Sequence, residues 1–161
     1  WWDVKERWDE NDHPIIPVKE IVKKSIDFSD CVIVTGGEPL MWNMGPLTKE
    51  LKKFNKKTHI ETSGAHPLTG NWDWVCLSPK KAKLPIEDAY NYAHELKIII
   101  YNNHDFKFAQ QQAEKVNKNA ILYLQPEWSK REEMMPLMVD FIKKNPKWKI
   151  SLQTHKYLNI P

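Results

Sequence analysis

The chain has 161 residues, of which 41% are hydrophobic and 28% charged, a size and mixture that suit one globular domain, 1–161, around a single core. Its net charge of +3 comes from lysines scattered among acids, so nothing in it calls for nucleic acid. No apolar run approaches the ~20 residues of a membrane helix, no secretory signal is visible, and two cysteines are too few for a disulfide framework.

The first sixteen residues are polar and aromatic and read as an extended or looped segment. Pro17 suits the first turn of a helix, and Val18, Ile21, Val22 and Ile26 recur at helical spacing up to Asp27. Cys31 to Val34 is a short apolar run without alternation, which predicts a strand buried on both faces. Leu47, Leu51 and Phe54 mark a helix over about Pro46 to Asn55. Thr58 to Glu61 and Trp74 to Leu77 are the next strands, and a short helix is expected near Ile86 to Ala93. A strand from Leu96 to Ile100, a helix from Asp105 to Val116 and a strand from Ala120 to Leu124 follow. A helix over Lys130 to Lys144 presents Leu137, Phe141 and Ile142, with Pro136 either kinking it or lying in its first turn. Trp148 to Leu152 is the last strand.

Strands alternating with helices make a parallel sheet with crossover helices the economical architecture. Parallel strands bring their carboxyl ends to one rim, where α/β proteins bind ligands. Five of the six predicted strand ends are polar there: Thr35, Glu61, Ser78, Gln125 and Thr154. At the first of them, Gly36 and Gly37 open the backbone to a ligand, Glu38 adds a carboxylate and Pro39 stops the strand. Both cysteines, Cys31 and Cys76, fall in predicted buried strands and read as inert thiols of a cytosolic protein.

The run Gly36-Gly37-Glu38-Pro39 resembles the GGEP motif of the radical S-adenosylmethionine enzymes. Together with Glu61-Thr62-Ser63-Gly64, Leu77-Ser78-Pro79-Lys80, Leu124-Gln125-Pro126 and Gln153-Thr154-His155-Lys156, it falls in the order and spacing of one subfamily, 7-carboxy-7-deazaguanine synthase. The resemblance runs from about Trp2 to Pro161. It implies an incomplete parallel (β/α) barrel, a cytoplasmic homodimer, and contraction of a carboxylated tetrahydropterin ring with loss of ammonia. It implies that Gly36, Gly37, Glu38, Ser63, Ser78, Pro79, Lys80 and Gln125 hold S-adenosylmethionine, and that Thr35, Glu61, His155 and the terminal carboxylate of Pro161 meet the pterin. Each residue also has a plainer reading. Lys80 beside Lys81 and Lys83 is commonly solvated, Glu61 would face water at a strand end, a lone His155 is usually a satisfied polar group, and a chain end commonly frays.

The family also uses a 4Fe–4S cluster held by three cysteines near the N-terminus, and a magnesium ion. Trp2-Asp3-Val4-Lys5 aligns with the end of the cysteine loop and puts Trp2 where the third cysteine should stand and Val4 where a magnesium-binding hydroxyl should stand. Indole cannot ligate iron, and Cys31 and Cys76 lie in separate strands, so no metal ligand is assigned and the catalytic residues stay unassigned. The first residue is Trp1 rather than Met, so the chain reads as a fragment, a processed chain or the ordered part of a longer one, and the resemblance implies a first barrel strand before Trp1. The alternatives are a non-catalytic relative that binds S-adenosylmethionine or a pterin, and an unrelated α/β enzyme using the glycine loop for a phosphate. These 161 residues alone are expected to stay colourless on anaerobic reconstitution with iron and sulfide. A stoichiometric 4Fe–4S cluster, seen as broad visible absorbance, would overturn this.

Overall fold

The computed structural model describes residues 15–160. Six strands, β1 (Cys31–Val34), β2 (Lys57–Thr62), β3 (Trp74–Leu77), β4 (Glu95–Ile100), β5 (Ile121–Pro126) and β6 (Trp148–Ile150), form one sheet in chain order. Every neighbouring pair is parallel. Helices α1 (Val18–Ser25), α2 (Gly45–Lys53), α3 (His104–Ala113), α4 (Arg131–Lys144) and the single turn α5 (Thr154–Tyr157) supply the helical layer. The expected α/β architecture with parallel strands is therefore present, as an open sheet.

The sheet has two chemically different faces, because successive side chains of a strand point to opposite sides. Leu77, Leu96, Ile98, Ile100, Leu124 and Trp148 are buried in one cluster with Ala109 of α3 and with Met134 and Met138 of α4. Val32 and Val34 lie against Val22 of α1 and Leu47 and Leu51 of α2. The residues between them in sequence take the other, concave face: His59 and Glu61, Trp74 and Cys76, Glu95 and Lys97, Tyr123 and Gln125. Burial drives the first face; the second carries charge.

Several sequence expectations are corrected by this arrangement. β1 is not buried on both faces: it pairs with β2 alone among the described residues, and Ile33 is 60% exposed on the concave side. Cys31 is accordingly half-buried, and only Cys76 lies in the interior. The helix expected near Ile86–Ala93 is a short 3-10 turn, Glu87–Tyr90, so neither link on either side of β3 holds an α-helix. Pro136 does not fall in the first turn, because α4 starts at Arg131. The buried positions of α4 are Met134 and Met138, while Leu137 stands 37% exposed. β6 ends at Ile150, leaving Gln153 as the cap of α5 and Thr154 as its first residue.

Asn55 ends α2 with a left-handed backbone, φ 56°, a conformation asparagine tolerates after a helix. Gly64, which follows β2, has φ 73° and no room for a side chain: a Cβ there would stand 2.4 Å from Leu77 Cδ1 and 2.9 Å from Ala89 Cβ. Gly64→Ala is expected to cost about 1–3 kcal/mol through strain and overpacking, read as a lower urea midpoint at unchanged m-value.

Candidate functional site

The carboxyl ends of the strands surround a cavity of about 710 Å³, a volume typical of small-molecule sites. Glu38 and Met41 enter from the loop after β1, Ser63 from the end of β2, Lys80 from the segment after β3, Ile99 from β4 and Gln125 from β5. Trp128, Gln153 and Lys156 complete the wall beyond β5 and β6. Glu38, Ser63, Lys80 and Gln125 were expected at the site, and the fold brings all four together. Ser78 and Pro79 are buried behind the surface, and neither lines the cavity. Thr35, Gly36 and Gly37 are exposed on the loop above it. His155 is exposed on α5 outside the cavity, with its neighbour Lys156 on the wall instead. Pro161, Trp2 and Val4 lie outside the described residues.

Glu38 is the bracket of the rim. Its carboxylate is buried yet fully engaged: Oε1 accepts from Leu40 N at 3.1 Å and from Thr62 Oγ1 at 2.6 Å, and Oε2 accepts from Ser63 N at 2.8 Å and from the Ser63 hydroxyl. A carboxylate suits this place because all four partners are donors. The bracket ties the loop after β1 to the end of β2 and so fixes the height of the glycines. Gly36 has φ 133°, and a Cβ added at Gly36 or Gly37 would meet no atom within 4 Å. Backbone is thus offered to open space at this point, and at Gly36 its angle favours glycine.

Lys80 is the most perturbed cation of the wall. Its Nζ donates to Ser78 Oγ at 2.8 Å. Burial, and then the positive charge of Lys97, lower its pKa to about 8. Its reading as a solvated lysine is therefore replaced by a half-buried one facing a ligand-sized space. Lys81, Lys83 and Lys156 also line the cavity against two carboxylates, those of Glu38 and Glu127. The Lys81 ammonium is neutralised by an ion pair with Asp105, and Lys83 Nζ lies 3.1 Å from His66 Nε2. The wall remains net positive and suits a carboxylate or other anionic group of a ligand.

Glu61 is half-buried rather than open to water. It forms an ion pair with Lys97, which crosses β3 on the concave face. Burial opposes the charge on Lys97, but the Glu61 and Glu95 carboxylates near it favour the charge, and its pKa is raised. Cys76 lies between the two strands, and burial pushes its thiol well above the ordinary range. Lys97 was missed in the sequence, although a lone lysine inside Leu96-Lys97-Ile98 was the available signal. Trp128 was missed as well. Arg131 and Lys156 stand 4.4 and 5.3 Å from its ring, and Tyr157 meets it edge-on at 5.0 Å, an aromatic wall held by cation–π contacts.

An open parallel sheet with a polar carboxyl rim around one cavity defines the chain as a partial (β/α) barrel of the ligand-binding kind. Comparison with known proteins narrows this. The chain is 62% identical over 161 residues to 7-carboxy-7-deazaguanine synthase of Flavobacterium psychrophilum, covering 100% of this chain and 77% of that protein. It is 45% identical over 161 residues to the enzyme of the same name from Synechocystis, covering 99% and 77%. The crystal structure of QueE from Escherichia coli superposes with a TM-score of 0.74 at 25% identity, over 84% of this chain and 62% of that one. No family profile matches. The chain belongs to the 7-carboxy-7-deazaguanine synthase family, a family of enzymes.

The bracket gives a direct test. Glu38→Gln places an amide N–H against a donor on one side of the carboxylate site, and a buried charge-assisted pairing is lost. It is expected to lower stability by about 1–3 kcal/mol, read by denaturant unfolding. An unchanged midpoint would show that the bracket contributes nothing.

Proposed function

We propose that this chain acts as a 7-carboxy-7-deazaguanine synthase, a radical S-adenosylmethionine lyase that contracts the ring of 6-carboxy-5,6,7,8-tetrahydropterin to 7-carboxy-7-deazaguanine with loss of ammonia. The observation that carries the reading is the cavity itself, in which Glu38, Ser63, Lys80 and Gln125, all assigned to the cofactor from the sequence, share one wall. With it goes a cytoplasmic homodimer that works on a small pterin rather than on nucleic acid or membrane.

The described residues fit S-adenosylmethionine. The open backbone at Gly36 and Gly37 suits its amino group, and the Lys80 ammonium suits its carboxylate as a charge-assisted contact. When bound, that cofactor supplies the organic radical of this enzyme class. The rest falls to the protein: Ser78 orients Lys80 through the 2.8 Å hydrogen bond, Gln125 offers an amide to polar edges, and Trp128 closes the wall against water. For the pterin, the resemblance gives roles to Thr35, Glu61, His155 and Pro161; the first three do not line the cavity, so their contact with a substrate would be made from outside its present wall.

The described residues do not fit an iron–sulfur cluster. Cys31 is in β1 and Cys76 in β3, with β2 between them. No group of three or more His, Cys, Asp or Glu is placed to hold a metal among the described residues. No step is assigned through a cluster or through magnesium.

Titration calorimetry with S-adenosylhomocysteine tests the cofactor half of the reading. A charged hydrogen bond contributes about 1.5–3 kcal/mol, so Lys80→Ala is expected to weaken binding by roughly ten- to a hundred-fold. Lys80 is charged below its folded pKa of about 8 and neutral above it. Wild-type affinity should therefore hold at low pH and decline as pH rises through about 8, and Lys80→Arg should flatten the profile. Equal binding by wild type and Lys80→Ala would remove Lys80 from the site.

A further inference from the structure

Four consecutive residues of the cavity wall, Lys80, Lys81, Ala82 and Lys83, come from one turn in the segment after β3. Lys80 and Lys83 pair across it as a single antiparallel bridge. Lys81 and Lys83 tie the turn to elements on either side. Lys83 Nζ lies 3.1 Å from His66 Nε2, in the segment after β2. Lys81 reaches α3 instead: its ammonium forms an ion pair with Asp105 Oδ1 and stands 5.6 Å from the centroid of the Phe108 ring.

Asp105 lies in the first turn of α3 and is 5% exposed. Its Oδ2 accepts from Tyr101 N at 2.7 Å and from Asn102 N at 2.8 Å, the two residues that leave β4. Those bonds fix the carboxylate to the end of the strand and leave Oδ1 to Lys81. A buried carboxylate is costly unless its oxygens are filled, and donors from two separate segments fill these. Asp105 itself does not line the cavity. Its only route to a ligand is through Lys81 and the turn that carries it.

We propose that Asp105 is a positioning residue of this site: anchored to the end of β4, it fastens Lys81 to α3 and so fixes the turn 80–83 against the ligand space. The Lys81 charge then serves the anchor rather than the ligand. The binding half of the test below rests on S-adenosylmethionine occupying the cavity, as in the function proposed above.

Asparagine keeps one oxygen for the two backbone N–H groups but turns N–H groups toward Lys81, so Asp105→Asn removes the ion pair and spares the strand end. The test uses the full chain, with hydrogen–deuterium exchange of the ligand-free protein and calorimetry with S-adenosylhomocysteine. In Asp105→Asn, exchange over residues 80–84 is expected to quicken about three- to fivefold, the size of one ion pair at a partly exposed site, with β4 and β5 unchanged. Affinity should fall by a similar factor. A ligand-binding Lys81 predicts the opposite sign, because the variant would release its charge to the ligand carboxylate. Lys81→Met should reproduce both effects, and Lys81→Met/Asp105→Asn should lose no more than the worse of the two singles. Lys81→Arg, which can still meet the carboxylate, should stay within about twofold of wild type. Where Asp105→Asn does not fold, the exposed Lys81 supplies the same comparison through Met and Arg. Unchanged exchange over 80–84, exchange raised across the whole sheet, tighter binding in Asp105→Asn, or additive losses in the double variant would overturn the proposal. Failure of the wild-type chain to bind S-adenosylhomocysteine would instead count against the cofactor reading, and the ligand-free exchange would still decide whether Asp105 holds the turn.

Discussion

Parallel pairing is the constraint on which this molecule depends. Six consecutive strands run the same way, so their carboxyl ends meet at one rim whatever residues they carry. Backbone pairing alone would leave that rim loose at the β1 end, where the strand has four residues and a single partner among those described. The Glu38 carboxylate supplies the missing tie by gathering donors from its own loop and from the end of β2. A buried carboxylate is costly unless its lone pairs are filled. Here they are filled, so the glycine loop is held without using the glycines themselves, and their backbone stays available.

The same pairing separates the two jobs of the sheet. Side chains that face the helices are largely apolar and close into buried clusters, and they hold the fold together. Side chains that face the hollow include Glu61, Glu95, Lys97 and Lys80 (the last from the segment after β3), groups that a stability argument would not place there. Their charges are arranged in a fixed order: Lys97 with Glu61, Lys80 with Ser78, and Trp74 Nε1 with Glu95 at 3.1 Å. Charge on a concave, half-dry surface is strongly felt by a ligand because few waters screen it. The depressed basicity of Lys80 and the raised basicity of Lys97 come from that setting.

Membership of the synthase family and the geometry of the cavity point the same way, yet they draw on different residues. The relatives match along the whole chain, whereas the cavity is made by a few side chains at strand ends. The chain spans 77% of the length of the two curated relatives and 62% of the solved chain. The described residues supply the cavity at the strand ends, and the two cysteines lie in separate strands, β1 and β3.

The sequence by itself determined the parallel order of strands and helices, because apolar periodicity and turn residues are local properties of the chain. From parallel pairing it placed Thr35, Glu61, Ser78, Gln125 and Thr154 at one rim, and of these Gln125 lines the cavity; Glu38, Ser63 and Lys80, which line it too, were reached through the family resemblance. It did not determine which face of β1 is covered: Cys31-Val32-Ile33-Val34 is apolar throughout, and only the tertiary structure shows Ile33 facing the hollow. Nor could it show that Ser78 and Pro79 are buried and leave the cavity wall to Lys80, because burial depends on what packs over the segment after β3. The pairing of Glu61 with Lys97, 36 residues apart, was beyond it altogether. That pair depends on two side chains reaching diagonally across β3, since the register sets Glu95 and not Lys97 opposite Glu61 through Cys76.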